Sequence, residues 1–162
     1  MEFYYAPFSC AFAAHVLLED AEAKYTSKRI DLKKGDQRSS EFLKVNPKGR
    51  VPALITEKGI LTETPSILVY ICQTHPEKNL APTDPYELAE AQAFNMYLSS
   101  TVHVGHSHKH RGQRWTDDEH ALASLTARVK DNMTDYAEFI EENYIKGPWV
   151  LGENYSMCDP YL

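Results

Sequence analysis

A stretch in the first third of the chain combines residue types that could bind a peptide-like ligand through its backbone. Val45–Leu54 reads Val-Asn-Pro-Lys-Gly-Arg-Val-Pro-Ala-Leu, which predicts a turn leading into a strand. Pro52 has no N–H to donate and is tolerated in a sheet only at an edge or at a strand start. A cis Val51–Pro52 bond would turn the N–H and C=O of Val51 outward, free to pair with the backbone of a ligand.

An anion site is predicted where Glu63-Thr64-Pro65 precedes an apolar helical run. Thr64 is expected to cap this helix and Pro65 to occupy its first position. The N–H groups at such a terminus lack partners within the helix, so they can bind a carboxylate. Glu63 would then meet an ammonium group of the same ligand.

Cys10 follows a strand-prone run and precedes a helical one, so its thiol is expected at a helix N-terminus. The partial positive charge there stabilises a thiolate and lowers the thiol pKa from about 8.5. A buried, unreactive cysteine fits the same position. No second cysteine lies within three residues, so a Cys-x-x-Cys dithiol cycle is not expected.

Four of the seven histidines fall within residues 102–110. His103, His106 and His110 would share one face of a helix, a spacing compatible with a metal site. No carboxylate or cysteine lies between them, and lysine and arginine side chains add repelling charge. We therefore expect no metal here.

Composition excludes several classes of function. The 162 residues carry a net charge of −6, which lacks the basic footprint of general nucleic-acid binding. No apolar run approaches the roughly 18 residues of a membrane helix, so no membrane partner is expected. Strand-like residues follow Met1 directly, so no signal peptide is expected. Three widely spaced cysteines do not resemble a secreted disulfide framework, so a cytoplasmic location is expected.

The elements that must position these residues begin with an α/β domain over residues 1–75. Its predicted order is β-α-β-α-β-β-α, with strands near 2–5, 25–32, 51–56 and 59–62 and helices near 10–23, 39–45 and 64–74. Residues 76–86 contain three prolines with no periodicity and predict a linker.

Residues 87–162 predict a helical domain, with helices near 87–104 and 117–144. The second carries an amphipathic stripe of Leu122, Leu125, Val129, Met133, Tyr136 and Ile140. Ser156-x-x-Asp159 matches a capping box for a further helix, yet the sequence stops at Leu162. We therefore expect the natural protein to continue beyond this chain.

The order of elements, with a proline at the third strand and a helical domain behind it, resembles the glutathione transferases. Val45–Leu54, Thr62–Tyr70 and Val150–Leu162 carry the resemblance and occur in the family's order. Phe3-Tyr4-Tyr5-Ala6-Pro7 with Cys10 is most similar to the bacterial beta class, whose members have a cysteine at that position. The family continues beyond the Ser156 box, so the chain is expected to be truncated at its C-terminal end.

The resemblance implies a thioredoxin-like α/β N-terminal domain, an all-α C-terminal domain and a site for glutathione. The residues it assigns to glutathione are Cys10, Lys34, Val51, Pro52, Glu63, Thr64 and His103. In the beta class the thiol at Cys10 faces the glutathione sulfur and can form a mixed disulfide with it.

The resemblance also gives roles to the other residues of this site. The γ-glutamyl carboxylate would bind at Thr64 and the glycyl carboxylate at Lys34. His103 would stabilise the glutathione thiolate or donate a proton. The family's nearby asparagine falls by count at Met96, one residue from Asn95, so either the helix register shifts or that contact is lost.

The resemblance implies a cytoplasmic, homodimeric glutathione transferase that acts in detoxification. It would conjugate the glutathione thiolate to electrophilic, hydrophobic small molecules and could transfer thiols through Cys10. Glutathione is then a co-substrate, and no metal is expected. The alternatives are a non-catalytic glutathione-transferase-like binding or regulatory protein, and a helical carrier of lipids or other ligands.

Overall fold

A four-stranded mixed sheet forms the first half of the molecule in the computed structural model, which describes residues 1–162. Its strands are β1 (Glu2–Tyr5), β2 (Thr26–Arg29), β3 (Ala53–Thr56) and β4 (Gly59–Thr62). The spatial order is β2-β1-β3-β4, with β2 parallel to β1 and with β3 antiparallel to both β1 and β4. This is the thioredoxin-like arrangement.

Three helices accompany the sheet: α1 (Ala11–Asp20), α2 (Ser40–Val45) and α3 (Thr64–Thr74). The predicted order β-α-β-α-β-β-α is confirmed. Phe3 and Leu54 from the central strands are fully buried together with Leu17 of α1 and Ile67 of α3. The core therefore lies between the sheet and the α1–α3 pair, which fixes the loops at the ends of β1 and β3.

The second half is helical, with α4 (Pro85–Tyr97), α5 (His103–Arg111) and α6 (Glu119–Asn143). The side chains of Asp84 and Asp118 cap α4 and α6 by accepting hydrogen bonds from main-chain N–H groups in the first turn. A π-helical turn, Leu98–Val102, joins α4 to α5 without a break. The predicted helix end near residue 104 is therefore wrong, because this turn carries the helix on to Arg111.

Two glycines bring α5 close to its neighbour α6. A Cβ at Gly105 would lie 2.7 Å from the Tyr136 ring, and one at Gly112 would lie 2.8 Å from Leu122 Cδ2. The predicted stripe on α6 is confirmed, since Val129 and Ile140 are buried and its other members are half-buried. The close packing of α6 against these two glycines thus fixes the position of α5.

The last residues fold back onto the junction between the two halves. Ser156 N–H donates to Asp159 Oδ2 (2.7 Å), which is one half of the predicted capping box. The Ser156 hydroxyl accepts from Cys158 N–H (3.2 Å) instead of from Asp159, and only the short 3-10 turn Asp159–Tyr161 follows. Burial raises the pKa of Cys72 and of Cys158 to about 12, which makes both inert thiols of the core. None of the helices combines the length and the apolarity needed to cross a bilayer.

Candidate functional site

A cavity of about 570 Å³ lies where the α/β part meets the helical part. Of the seven residues assigned to glutathione, six line it: Cys10, Val51, Pro52, Glu63, Thr64 and His103. They come from the start of α1, the approach to β3, the start of α3 and the start of α5. The fold thus gathers four distant segments of sequence around one space.

The Val51–Pro52 peptide bond is cis, and Pro52 comes directly before β3. The Val51 carbonyl oxygen accepts a hydrogen bond from the Cys10 thiol, with 3.7 Å between sulfur and oxygen. The Val51 N–H has no hydrogen-bond partner within the chain. One of the two expected backbone groups is therefore free, and the other is shared with Cys10.

Cys10 stands at the N-terminus of α1, as its sequence context predicts. Burial raises the pKa of its thiol above the ordinary value, although the nearby Thr64 hydroxyl and the positive charge of Arg111 act in the opposite direction. The expectation of a lowered pKa is therefore wrong, because desolvation of a thiolate outweighs the helix terminus. The thiol is a hydrogen-bond donor near neutral pH.

Thr64 is the first residue of α3 rather than its cap, and Glu63 occupies the cap position. The Thr64 hydroxyl does not cap the helix; it donates to the main-chain oxygen of Cys10 (3.4 Å) instead. The predicted cap at Thr64 is therefore wrong by one residue, since the N-cap is Glu63. The first-turn N–H groups of α3 still lack intrahelical partners and can bind a carboxylate from the cavity.

Glu63 has a positive φ of 71°, an uncommon conformation for a residue with a side chain. Such conformations cost about 1–3 kcal/mol and persist where the surroundings enforce them, often at binding sites. The Glu63 carboxylate pairs with Lys48, whose ammonium also donates to Thr62 Oγ1 (2.8 Å). An anionic acceptor is thus held beside the N-terminus of α3.

His103 is the first residue of α5 and is half-buried against the cavity. Burial and the positive charge of Arg111 lower its pKa below the ordinary value. A neutral imidazole near pH 7 can donate an N–H to a thiolate or accept a proton. His106 and His110 are exposed, and no group of three or more potential metal ligands occurs in the structure.

The π-helical turn changes the register of the helix that leads to His103. Asn95 is fully buried, whereas Met96 is exposed. Asn95, and not Met96, therefore lies on the inner face of α4. Neither amide atom of the Asn95 side chain has a hydrogen-bond partner, and the residue lies outside the cavity lining.

Lys34 does not line the cavity. Its side chain is exposed on the loop after β2, and its main-chain N–H donates to Asp31 Oδ1. Arg38 and Arg50 line the cavity on this side of the molecule instead. Arg38 reaches it across Gly49, where a Cβ would lie only 2.8 Å from the guanidinium.

Further lining residues escaped the sequence interpretation, namely Gln37, Arg38, Arg50, Arg111, Arg114, Trp115 and Tyr161. The Gln37 Oε1 atom is buried without a hydrogen-bond partner, so it is an unused acceptor in the wall. Burial and the neighbouring Cys10 raise the pKa of the Tyr161 phenol. Gly49 beside Arg50 was the one local signal of a close approach; the other residues reach the cavity only through tertiary packing.

Two hydroxyl groups near Cys10 have different surroundings. Ser9 lines the cavity, and its Oγ donates to the main-chain oxygen of Ala6 (2.7 Å). Tyr5 lies outside the lining and packs its ring on His15, with 4.9 Å between the centroids. Tyr5 is therefore a packed aromatic of β1 and not a wall of the cavity.

Comparison with known proteins finds a consistent set of relatives. Residues 1–73 match the family model for the glutathione S-transferase N-terminal domain. Glutathione S-transferase Z1 of Arabidopsis thaliana is 34% identical over 95% of this chain and 70% of its own length.

Solved structures agree over nearly the whole chain. A glutathione transferase homologue from Sulfitobacter with bound glutathione is 40% identical, covers 99% of this chain and 77% of its own, and has a TM-score of 0.95. A bacterial beta class glutathione S-transferase from Sphingomonas chungbukensis is 27% identical, covers 99% and 78%, and has a TM-score of 0.75.

Proposed function

Because the chain belongs to the glutathione S-transferase family, we propose that it conjugates the glutathione thiolate to electrophilic small molecules in the cavity beside Cys10. One observation carries this proposal. Six of the residues assigned to glutathione from sequence, far apart along the chain, line a single cavity. A helical carrier of other ligands would need an apolar cleft but not the Glu63–Thr64 pair.

The peptide part of glutathione fits the groups that the α/β part presents. The free Val51 N–H donates to the ligand backbone, and the buried Gln37 Oε1 offers an acceptor. The N-terminus of α3 receives the γ-glutamyl carboxylate, and Glu63 receives the adjacent ammonium. Arg38 and Arg50 receive the glycyl carboxylate, because they line the cavity and Lys34 does not.

The sulfur of glutathione would lie between Cys10 and His103. Both are hydrogen-bond donors near pH 7, since burial keeps the Cys10 thiol protonated and the imidazole of His103 neutral. Two donors lower the energy of a thiolate, which attacks the electrophilic carbon while the leaving group departs with its bonding electrons. The thiol proton passes to solvent. The protein supplies position and anion stabilisation.

Thiol transfer through Cys10 is a second candidate activity, favoured by the position of this thiol in the cavity wall. In that reaction the Cys10 thiolate attacks a glutathione disulfide and releases one glutathione thiolate. The raised pKa of Cys10 keeps the thiolate fraction small near neutral pH. Conjugation is therefore the main activity that the site supports.

We also propose the finer assignments that accompany this function. The cysteine at the start of α1 supports membership of the beta class, and all three cysteines are free, which fits a reducing cytoplasm. Residues 1–75 and 87–162 would be the two domains, assembled as a homodimer. Light scattering tests the dimer, and detection of the protein in an oxidising compartment would contradict the location.

Glutathione agarose and a conjugation assay with 1-chloro-2,4-dinitrobenzene test the proposed function together. We expect retention, elution by free glutathione, and thioether formation well above the uncatalysed rate. Retention without turnover would favour the non-catalytic binding protein. The absence of both retention and turnover would overturn the proposal. A variant with Glu63→Gln and Thr64→Val is the control that should lose retention.

A further inference from the structure

The cavity holds more positive charge than glutathione needs. Four arginines line it: Arg38, Arg50, Arg111 and Arg114. None of them has a carboxylate within 4.0 Å, since the ion pairs of the molecule involve other residues. Glu63 is the one carboxylate in the lining, and it already pairs with Lys48.

The four arginines come from different parts of the chain. Arg38 ends the short 3-10 helix Asp36–Arg38, and Arg50 precedes the cis peptide, so both belong to the glutathione side. Arg111 and Arg114 belong to the helical part. Glutathione has two carboxylates, and the N-terminus of α3 with Arg38 and Arg50 accounts for both. Arg111 and Arg114 are left without an anion.

Local geometry brings these two side chains to the same face. Arg111 ends α5 and directly precedes the 3-10 helix Gly112–Arg114, and the two arginines at Arg111 and Arg114 both line the cavity. Gly112 packs against Leu122 of α6 at a distance that admits no side chain, which fixes this turn. Arg111 and Arg114 therefore face the cavity together as a pair held by α6.

The surroundings of the pair indicate what it can bind. Arg111 lines the same cavity as Cys10 and His103, and its positive charge lowers the pKa of both, so an anion bound to it shares the space of the reacting sulfur. Arg114 is crowded by the positive charges of Arg50 and Arg111, a repulsion that an anion would relieve. The next residue, Trp115, also lines the cavity and supplies an aromatic wall. Guanidinium groups match planar carboxylates through paired hydrogen bonds.

We propose that the electrophilic substrate carries a carboxylate, which Arg111 and Arg114 bind while its reactive carbon faces the glutathione sulfur. This inference rests on the proposed function and narrows the class of its second substrate. An apolar or aromatic body of that substrate would lie against Trp115, on the helical side of the cavity.

Two matched electrophiles test the inference: 4-chloro-3,5-dinitrobenzoate and its methyl ester. In both, the glutathione sulfur bonds to the chlorine-bearing carbon, chloride leaves with the bonding electrons, and the thiol proton passes to the buffer. Their intrinsic reactivities differ, so each kcat/KM is divided by the rate constant of the uncatalysed reaction with glutathione. We expect this acceleration to be about tenfold greater for the carboxylate than for the ester.

Substitutions assign the preference to the two arginines. Arg111→Gln and Arg114→Gln should each remove most of the preference by raising KM for the carboxylate about tenfold. In Arg114→Gln the acceleration with the ester should fall far less than the acceleration with the carboxylate, and the KM for glutathione should not rise. Arg114→Lys keeps the charge without the paired donors and should restore part of the preference. Arg128→Gln, on the exposed face of α6, is the matched control.

The outcomes separate this inference from the function on which it rests. Equal acceleration of both electrophiles would overturn the inference alone. Equal losses with both electrophiles in Arg114→Gln, or a rise in KM for glutathione, would also overturn it, because the arginines would then serve glutathione. If neither electrophile is conjugated, the proposed function fails and the inference falls with it.

Discussion

The thiol of Cys10 donates a hydrogen bond to the main-chain oxygen of Val51, with 3.7 Å between sulfur and oxygen. The main-chain oxygen of Cys10 in turn accepts from the hydroxyl of Thr64 (3.4 Å). These two bonds join the starts of α1 and α3 to the cis-proline segment. The part of the cavity that would hold glutathione is therefore built before any ligand enters, which reduces the ordering cost of binding.

Glu63→Gln tests the ammonium site. The exchange removes the charge that faces the γ-glutamyl ammonium, so the Kd for glutathione should rise about tenfold, the usual cost of a charge-assisted hydrogen bond. Calorimetry should show no such penalty with an analogue that lacks the amino group, and Glu57→Gln on the exposed β3–β4 turn is the control. Equal penalties for both ligands would show that Glu63 acts only through its partner Lys48.

The α/β half followed from sequence because its signals are local. The alternating strands, the Pro52 strand start and the Thr64-Pro65 helix start are each encoded within a few residues. The cap at Thr64 was one residue off, because its hydroxyl found a tertiary acceptor, the oxygen of Cys10. Helix boundaries depend on such competition and are the least local feature of an element.

The helical side of the site could not be read in the same way. Arg111, Arg114 and Tyr161 reach the cavity only because α6 and the C-terminal segment pack where they do. The π-helical turn before His103 is not marked by a glycine or a proline in the sequence. The prediction of a lowered pKa for Cys10 is wrong for a related reason, since burial by distant segments raises the pKa by more than the local helix terminus lowers it.

Alkylation of Cys10 by iodoacetamide should show the effect of burial on its pKa. Since the folded-state pKa is raised, the thiolate forms only above the ordinary range, and the rate should still be rising at pH 9. Arg111→Gln removes a charge that lowers this pKa, so its inflection should move to still higher pH. An inflection below pH 8, in a mass-spectrometric assay of Cys10 modification, would contradict this picture.

Cys10→Ala separates the two activities of the site. Disulfide reduction with glutathione should be abolished, because that reaction needs the thiol as a nucleophile. Conjugation should fall about tenfold, since the glutathione thiolate keeps His103 and loses one donor. Both rates are measured on one preparation, with Cys72→Ala in the core as the control. Unchanged rates for both reactions would remove Cys10 from the mechanism.

Gly105→Ala tests how α6 positions α5. The new Cβ would lie 2.7 Å from the Tyr136 ring, so the free energy of unfolding should fall by about 1–3 kcal/mol. Adding Tyr136→Leu should recover part of this loss, whereas Ser124→Ala on the exposed face of α6 should change stability by less than about 0.5 kcal/mol. Urea unfolding measures all three. Additive effects at the two positions would show that they do not touch.

A crystal structure grown with glutathione tests the central claim most directly, because it locates the sulfur. We expect the sulfur in contact with Cys10 Sγ and within hydrogen-bonding reach of His103. The ligand backbone should pair with Val51, and the γ-glutamyl carboxylate should lie at the N-terminus of α3. Glutathione bound elsewhere, or bound here with its sulfur turned away from both Cys10 and His103, would contradict the account.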